Sequence, residues 1–406
     1  MTSVRRGQGT NQEAVRRHNL GTLLRHVHGA GRITRAELTA TMGLNRSTIG
    51  ALVAELEALG VTEQTQPSPA RSGAGRPSAR VRVTGDGPYV LAVDVGVATA
   101  SVGRIGLGGR VLQRADTRLG RSIEPWQVGT TIAELVREVV AGASGAPLVG
   151  LGIAVPGLVR RTDGLVRLAP NLGWHDVSFG EIVQAALGLD LPIALGNDAD
   201  LGALAEHNRG AAVGVDDLMY ISGNVGVGAG ILAGGRRLEG AAGYAGEIGH
   251  LNVKPRGRPC HCGSRGCLET EIGGEAIARA LGLPAEQVPD LIDVLLTLDG
   301  RPESLRVIGH ELGQGLADLV NAFNPEMVVL GGYLSSLHAL CRDDVEAGLV
   351  SRVLPAAYEG LTVVPPGLGR DSILLGAAEM AFEPLFSDPE ATLDAALLDV
   401  RARLSG

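Results

Sequence analysis

Between Gly243 and Glu269 the chain reads GYAGEIGHLNVKPRGRPCHCGSRGCLE. Three of its four cysteines, Cys260, Cys262 and Cys267, fall within eight residues, and His250 stands ten residues before the first. Three thiolates and one imidazole are the donor set of a closed tetrahedral zinc site. Glu247 and Glu269 bracket these ligands. Hard oxygen donors are not needed once four nitrogen and sulfur ligands are present. The spacing therefore predicts a structural Zn2+ held by His250, Cys260, Cys262 and Cys267, in a loop that leaves two carboxylates free for another purpose. A disulfide is the weaker reading, because the cluster holds an odd number of cysteines and no export signal opens the chain.

A chain of 406 residues is long for one domain and suggests two or three. Hydrophobic residues at 45% allow large cores, and aromatics at only 3% make those cores aliphatic. No apolar run reaches the roughly 18 residues of a membrane span, so no membrane partner is expected. The N-terminus is basic and polar without the apolar stretch of a secretory signal, and a cytoplasmic protein is expected. The net charge of −8 is unevenly placed. Residues 1–84 hold twelve arginines against five glutamates, a net of +7, which leaves −15 on the remainder. A basic head on an acidic body points to a nucleic-acid partner.

The head has the pattern to match. Leu20, Leu23, Leu24 and Val27 repeat at helical spacing. Thr34-Arg35-Ala36-Glu37 reads as a capping box that opens a short helix. Gly43 makes a turn, and Asn45 caps a third helix with a buried stripe of Ile49, Leu52, Val53, Leu56 and Leu59. Its first turn, Asn45, Arg46, Ser47 and Thr48, has the chemistry of a recognition helix in a major groove. Strands are predicted at Val61–Thr65 and Val81–Val83, separated by a Pro-, Gly- and Ser-rich segment with Arg71, Arg76 and Arg80. This is a winged helix-turn-helix, whose wing arginines, with Arg35, would reach DNA phosphate or the minor groove.

After the turn Gly85–Pro88 the pattern becomes α/β and repeats. A buried strand at 89–93 runs into Asp94-Val95-Gly96, followed by a hairpin with Gly108-Gly109. A strand at 192–195 delivers Asn197 and Asp198 to the start of a helix. The second half has its own strand at 218–221, a glycine-rich run from Gly223 to Gly230, and a Gly234-Gly235 hairpin. Such duplication places a ligand cleft between two lobes. Helices are predicted near 275–282, 303–323 and 388–404.

Together these residues resemble the ROK family (repressor, open reading frame, kinase). The resemblance rests on the zinc spacing, Pro156-Gly157, Asn197-Asp198, Gly246-Glu247-Ile248-Gly249-His250 and Gly331-Gly332. It implies a duplicated actin/hexokinase-like (ribonuclease H-like) α/β fold behind the winged helix. The expected division is a DNA-binding head at 1–86, a first lobe at 87–200 rejoined by a C-terminal helix at about 385–406, and a second lobe at 201–384 with the zinc loop. It also implies that Asn197, Asp198, Glu247, His250 and Glu269 contact a sugar, with Asp198 the general base if the protein were a kinase. Gly157 and Asn171 are further cleft-lining candidates.

The sequence departs from the family's kinases at both phosphate loops. Val97 and Ala98 stand where those enzymes have glycine and threonine, and Val225 replaces a threonine in the second loop. Phosphoryl transfer depends on such donors, so ATP is not expected to be a cofactor. The expectation is a sugar-responsive DNA-binding regulator, a repressor acting on a double-stranded operator as a homodimer or homotetramer. The alternative is an ATP-dependent sugar kinase with an attached DNA-binding head.

Overall fold

The computed structural model describes residues 12–65, 79–120, 123–143 and 145–396, with Leu398 and Arg403. The head comprises α1 (Gln12–Ala30), β1 (Arg32–Thr34), α2 (Arg35–Met42), α3 (Arg46–Ala58), β2 (Thr62–Thr65) and β3 (Arg80–Val83). The Thr34 side chain accepts from the Glu37 N–H while the Glu37 carboxylate accepts from the Thr34 N–H, a complete capping box. Gly43 takes φ 65° to end α2, and the Asn45 side chain caps α3. The three strands form a sheet in the order β1-β3-β2. β1 was not anticipated: three residues with one half-buried Ile33 carry no alternation to read. β2 and β3 form the base of the wing, and Arg71 and Arg76 lie outside the described residues.

The first lobe continues with β4 (Tyr89–Val95), β5 (Thr99–Gly106), β6 (Arg110–Arg118), α4 (Pro125–Val140) and β7 (Leu148–Val155). A small sheet of β8 (Leu158–Val159), β9 (Val166–Ala169) and β10 (Trp174–Val177) follows, then α5 (Phe179–Leu187) and β11 (Ile193–Asn197). The helix α6 (Asp198–Arg209) leads to β12 (Leu218–Gly223), β13 (Val227–Ala233) and β14 (Arg236–Arg237) of the second lobe. Beyond the cysteine loop come α7 (Leu268–Ile272), α8 (Gly274–Ala280), α9 (Leu291–Thr297), α10 (Glu303–Phe323) and β15 (Met327–Gly332). Then follow α11 (Tyr333–Leu340), α12 (Arg342–Val350), α13 (Pro355–Tyr358), β16 (Thr362–Val364), α14 (Ser372–Ser387) and α15 (Pro389–Ala395).

The two large sheets have one topology. The orders β6-β5-β4-β7-β11 and β14-β13-β12-β15-β16 each place an antiparallel meander beside two parallel strands. The duplicated α/β fold expected from the sequence is present.

Four expectations need correction. The segment that rejoins the first lobe starts at Ser372, not near 385, because α14 buries Leu374, Ala378 and Phe382 with Val90, Ala92 and Val149. The expected lobe boundary at 200/201 falls inside α6, which is continuous from Asp198 to Arg209. Of the helix expected over 388–404, the described part is α15, which ends at Ala395 with Ala396 extended, and residues 397, 399–402 and 404 lie outside the described residues. The glycine-rich run is a turn only at 224–226, since Val227–Gly230 already belong to β13. At Gly230 an added Cβ would lie 2.4 Å from the Ala199 carbonyl oxygen, so this glycine lets α6 rest on the sheet.

The head also shares its core with the body. Leu20, Leu24, Ile49 and Val53 belong to the same buried cluster as Ile105, Phe382 and Phe386. α14 is the common plate, and glycines set its closeness: a Cβ at Gly152 of β7 would meet the Ala377 carbonyl oxygen at 1.9 Å. Gly152→Ala is therefore expected to destabilise the protein by about 3 kcal/mol through overpacking, read as a lower urea midpoint. Gly29→Ala, in α1 with nothing within 4 Å of the added carbon, is the control. It should be neutral or stabilising by about 0.5 kcal/mol.

Candidate functional site

The cysteine loop is folded by its own backbone. The Cys260 N–H donates to the Ser264 carbonyl (2.8 Å) and the Gly263 N–H to the Cys260 carbonyl (3.0 Å). Gly266 must be glycine: it has φ 66°, and a Cβ would lie 1.7 Å from the Lys254 carbonyl oxygen. Lys254 Nζ reaches Glu271 (3.1 Å) on α7 and Glu311 (2.8 Å) on α10, which pins the loop to the second lobe.

This folding brings one donor atom from each of His250, Cys260, Cys262 and Cys267 within 4.8 Å of one another. Cys260 Sγ is 3.6 Å from His250 Nδ1, and Cys262 Sγ is 3.7 Å from Cys267 Sγ. Zinc bonded to sulfur at about 2.3 Å gives tetrahedral edges of about 3.8 Å, so the spacing suits that ion. The imidazole turns Nδ1 to the thiols and leaves Nε2 4.0 Å from Glu247 Oε2. The thiol cluster and Glu247 thus face different ring nitrogens of His250.

Next to the loop lies an interlobe cleft of about 710 Å³. All seven residues expected at a sugar site, Gly157, Asn171, Asn197, Asp198, Glu247, His250 and Glu269, line it. Asn197 ends β11 and caps α6: its Oδ1 accepts from the Ala199 (2.8 Å) and Asp200 (3.1 Å) N–H groups. Its amide donates to the Gly157 carbonyl (3.0 Å), fixing the 156–157 turn. Most of the Asn197 amide is therefore occupied by backbone, which narrows what it can offer a ligand. Glu269, near the start of α7, accepts the Val227 N–H at 2.9 Å and sits with the Asn171 amide over Gly226.

Asp198 opens α6 and accepts the Ala199 N–H at 2.9 Å. Loss of water around it pushes its carboxyl up to about 6, although the Ala199 N–H and the Asn224 amide oppose the shift. Asp94, at the end of β4, is pushed up to about 7 by burial and then by Asp198 itself. Asp200 also rises to about 7, mainly by burial. Burial raises Glu247 as well, against the pull of His250. The cleft thus gathers carboxylates with few cations, an arrangement rich in acceptors for hydroxyl donors. Asn224 is a site residue that the sequence does not reveal: it lies inside the glycine-rich run, and no local signal pairs it with Asp198.

The cleft is also lined by apolar side chains, among them Val97, Ala98, Val288, Leu291 and Ile292. Beside these residues the ion pairs Arg118–Asp290 (2.6 Å) and Arg370–Asp293 (2.5 Å) join segments distant in sequence.

In the head, the Asn45 side-chain Oδ1 accepts from the Thr48 N–H (2.9 Å) and from the Ser47 (2.6 Å) and Thr48 (3.0 Å) hydroxyls. These three side chains are largely committed to the cap. Arg46 and Arg80 are exposed, whereas the half-buried Arg35 lays its guanidinium against Gly50 of α3.

The chain belongs to the ROK family, whose model matches residues 90–383. It is 27% identical over 378 residues to the xylose repressor of Bacillus spizizenii, a match covering 92% of this chain and 97% of the relative. Its fold is similar to that of a ROK family transcriptional regulator, a homologue of the E. coli MLC protein. That match has a TM-score of 0.74 and 26% identity over 94% of this chain and 100% of the other. A ROK family glucokinase from Streptomyces griseus, solved with glucose and AMPPNP, is similar over 73% of this chain and 99% of its own, with a TM-score of 0.61 and 30% identity. Among the described residues no helix is long and apolar enough to cross a membrane.

Proposed function

We propose that the protein is a cytoplasmic transcriptional repressor that binds a double-stranded operator and changes its affinity when a sugar occupies the interlobe cleft. The observation that carries this reading is the shared core: a winged-helix head is packed into the lobe that holds Asn197 and Asp198. Exposed Arg46 and Arg80 would meet DNA, with Arg71 and Arg76 of the wing, and the cleft carboxylates would accept sugar hydroxyls. Similarity to a xylose repressor puts pentoses first among candidates. A homodimer or homotetramer would present paired recognition helices to a palindromic site.

A structural zinc would be held by His250 Nδ1 and the three cysteine sulfurs. Its chemistry there is to fix a fold, leaving His250 Nε2, Glu247 and Glu269 toward the cleft. The kinase reading draws on Asp198 and on the glucokinase similarity. Against it, Val97 and Ala98 offer no hydroxyl, and Gly230 has a packing role under α6.

The test is a gel shift with the protein's own promoter region and a panel of pentoses, hexoses and N-acetylhexosamines. A sequence-specific complex whose affinity changes at least tenfold with one sugar is expected. Absence of specific binding under every condition contradicts the proposal. ADP release with any of these sugars, abolished by Asp198→Asn, would instead establish the kinase.

A further inference from the structure

We propose that Arg209, Glu379 and His28 are positioning residues that carry sugar occupancy from the cleft to the DNA-binding head, a proposal that rests on the sugar-responsive reading. Helix α6 has twelve residues, about 18 Å at 1.5 Å per residue. Its cap Asn197 and first residue Asp198 line the cleft, and its last turn reaches the head.

There the contacts converge on one carboxylate. Glu379 of α14 accepts from the Asn208 amide (3.0 Å) and from Arg209 Nε, both on α6. It also accepts from His28 Nε2 (3.0 Å) in the last turn of α1. Arg209 donates in addition to the His28 backbone carbonyl (3.0 Å). The side chains of His28, Glu379 and Arg209 are only 2%, 6% and 9% exposed, so water does not substitute for these bonds.

His28 Nδ1 accepts from the Gly108 N–H at 3.0 Å. A backbone N–H can only donate, so Nδ1 is bare and the ring's hydrogen is on Nε2, facing Glu379. The imidazole is therefore neutral and bridges the head, the β5–β6 turn and α14.

The stack has no slack. A Cβ at Gly376 of α14 would meet the Leu201 carbonyl oxygen of α6 at 1.9 Å, and one at Gly21 of α1 would meet the Phe386 carbonyl oxygen of α14 at 1.8 Å. Glu206 of α6, fully buried, accepts the Gly367 (2.9 Å) and Leu368 (3.1 Å) N–H groups and the Ser372 hydroxyl (2.6 Å). It fastens the crossover that enters α14. A tilt of α6 on sugar binding must therefore move α14 and, through Glu379, the end of α1. The sugar shifts the head only as far as it prefers one tilt over the other.

The experiment uses the full-length protein, an operator fragment and a sugar to which the unaltered protein responds. Calorimetry gives sugar affinity, and fluorescence anisotropy gives operator affinity with and without sugar. Glu379→Gln is expected to keep both separate affinities within about threefold while the sugar-induced change in operator affinity collapses at least tenfold toward none. A retained wild-type response in Glu379→Gln overturns the proposal. If that variant does not fold, Asn208→Ala decides, because it removes one bond and leaves the Arg209–Glu379 pair. It should reduce the sugar-induced change at least threefold while the protein stays folded by circular dichroism, and a full response overturns the proposal. Lack of any sugar effect in the unaltered protein would instead contradict the sugar-responsive reading.

Discussion

Cys267→Ser is expected to remove the metal and the sugar response together, while operator binding without sugar persists. Cys267 is the residue on which α7 begins, and Glu269 of the cleft is two residues further along. His250 links the same two places through its two ring nitrogens. Structural zinc contributes about 10–16 kcal/mol of binding energy in small zinc-finger peptides, and here a comparable ion would order the loop around two buried thiols, Cys260 and Cys267. Metal content should fall from about one zinc per chain to none. Sugar affinity should fall by about 100-fold, since groups that orient contacting residues carry effects of 10–100-fold. The head, whose α1 packs against α14, should keep its fold. Elemental analysis together with a sugar-induced thermal shift checks this. A zinc-free protein with an undiminished sugar response would contradict it.

Asp198→Asn should abolish most of the sugar response and raise stability. An amide keeps the shape but loses the charged acceptor. A hydrogen bond to a charged group contributes about 1.5–3 kcal/mol, so sugar affinity should fall roughly 10- to 150-fold. The pH dependence follows from the raised carboxyl. Sugar hydroxyls donate to the carboxylate, so binding favours the ionised form. Affinity should rise as pH increases through about 6 and then level off. Calorimetry from pH 5 to 8 should show this slope in the unaltered protein, with the Asp198 contribution gone in the variant. Stability runs the other way. With its carboxyl raised from 3.8 to about 6, the folded state binds more protons than the unfolded state across that window. The contribution of Asp198 to folding is therefore present below about 4 and lost as pH rises through about 6. Asp198→Asn removes this ionisation and the repulsion with Asp94, and its thermal midpoint at pH 8 should exceed that of the unaltered protein. A lower midpoint with intact sugar affinity would contradict both halves.

Much of this was legible locally. Thr34 and Glu37 announce their helix because a capping box is a four-residue event. Asn45 announces α3 in the same way. The cysteine loop is legible because its donors are close in sequence and chemically rare together. The duplicated sheets show through their paired glycine hairpins. The unreadable parts depend on distant contacts. Nothing near His28 indicates a carboxylate 351 residues away. Nothing near Gly152 or Gly376 indicates that a carbonyl oxygen must approach within 2 Å of where a Cβ would stand. The same holds for Gly230, whose glycine-rich surroundings resembled a phosphate loop while its own role is to admit α6. Asn197 was expected at the cleft and lines it, but its capping bonds to α6 emerge only from the helix start. The shared core of head and body was the largest omission, because the turn at 85–88 looks like a boundary and the residues that return to the head, on the β5–β6 turn, α6 and α14, are distant in sequence.

The central claim is that cleft and head form one linked system. The most direct measurement is sugar affinity by calorimetry in the presence and absence of saturating operator fragment. If sugar weakens operator binding by some factor, saturating operator must weaken sugar binding by that same factor, at least tenfold here. Identical sugar affinity with and without bound operator, in a protein that binds both, would contradict the account.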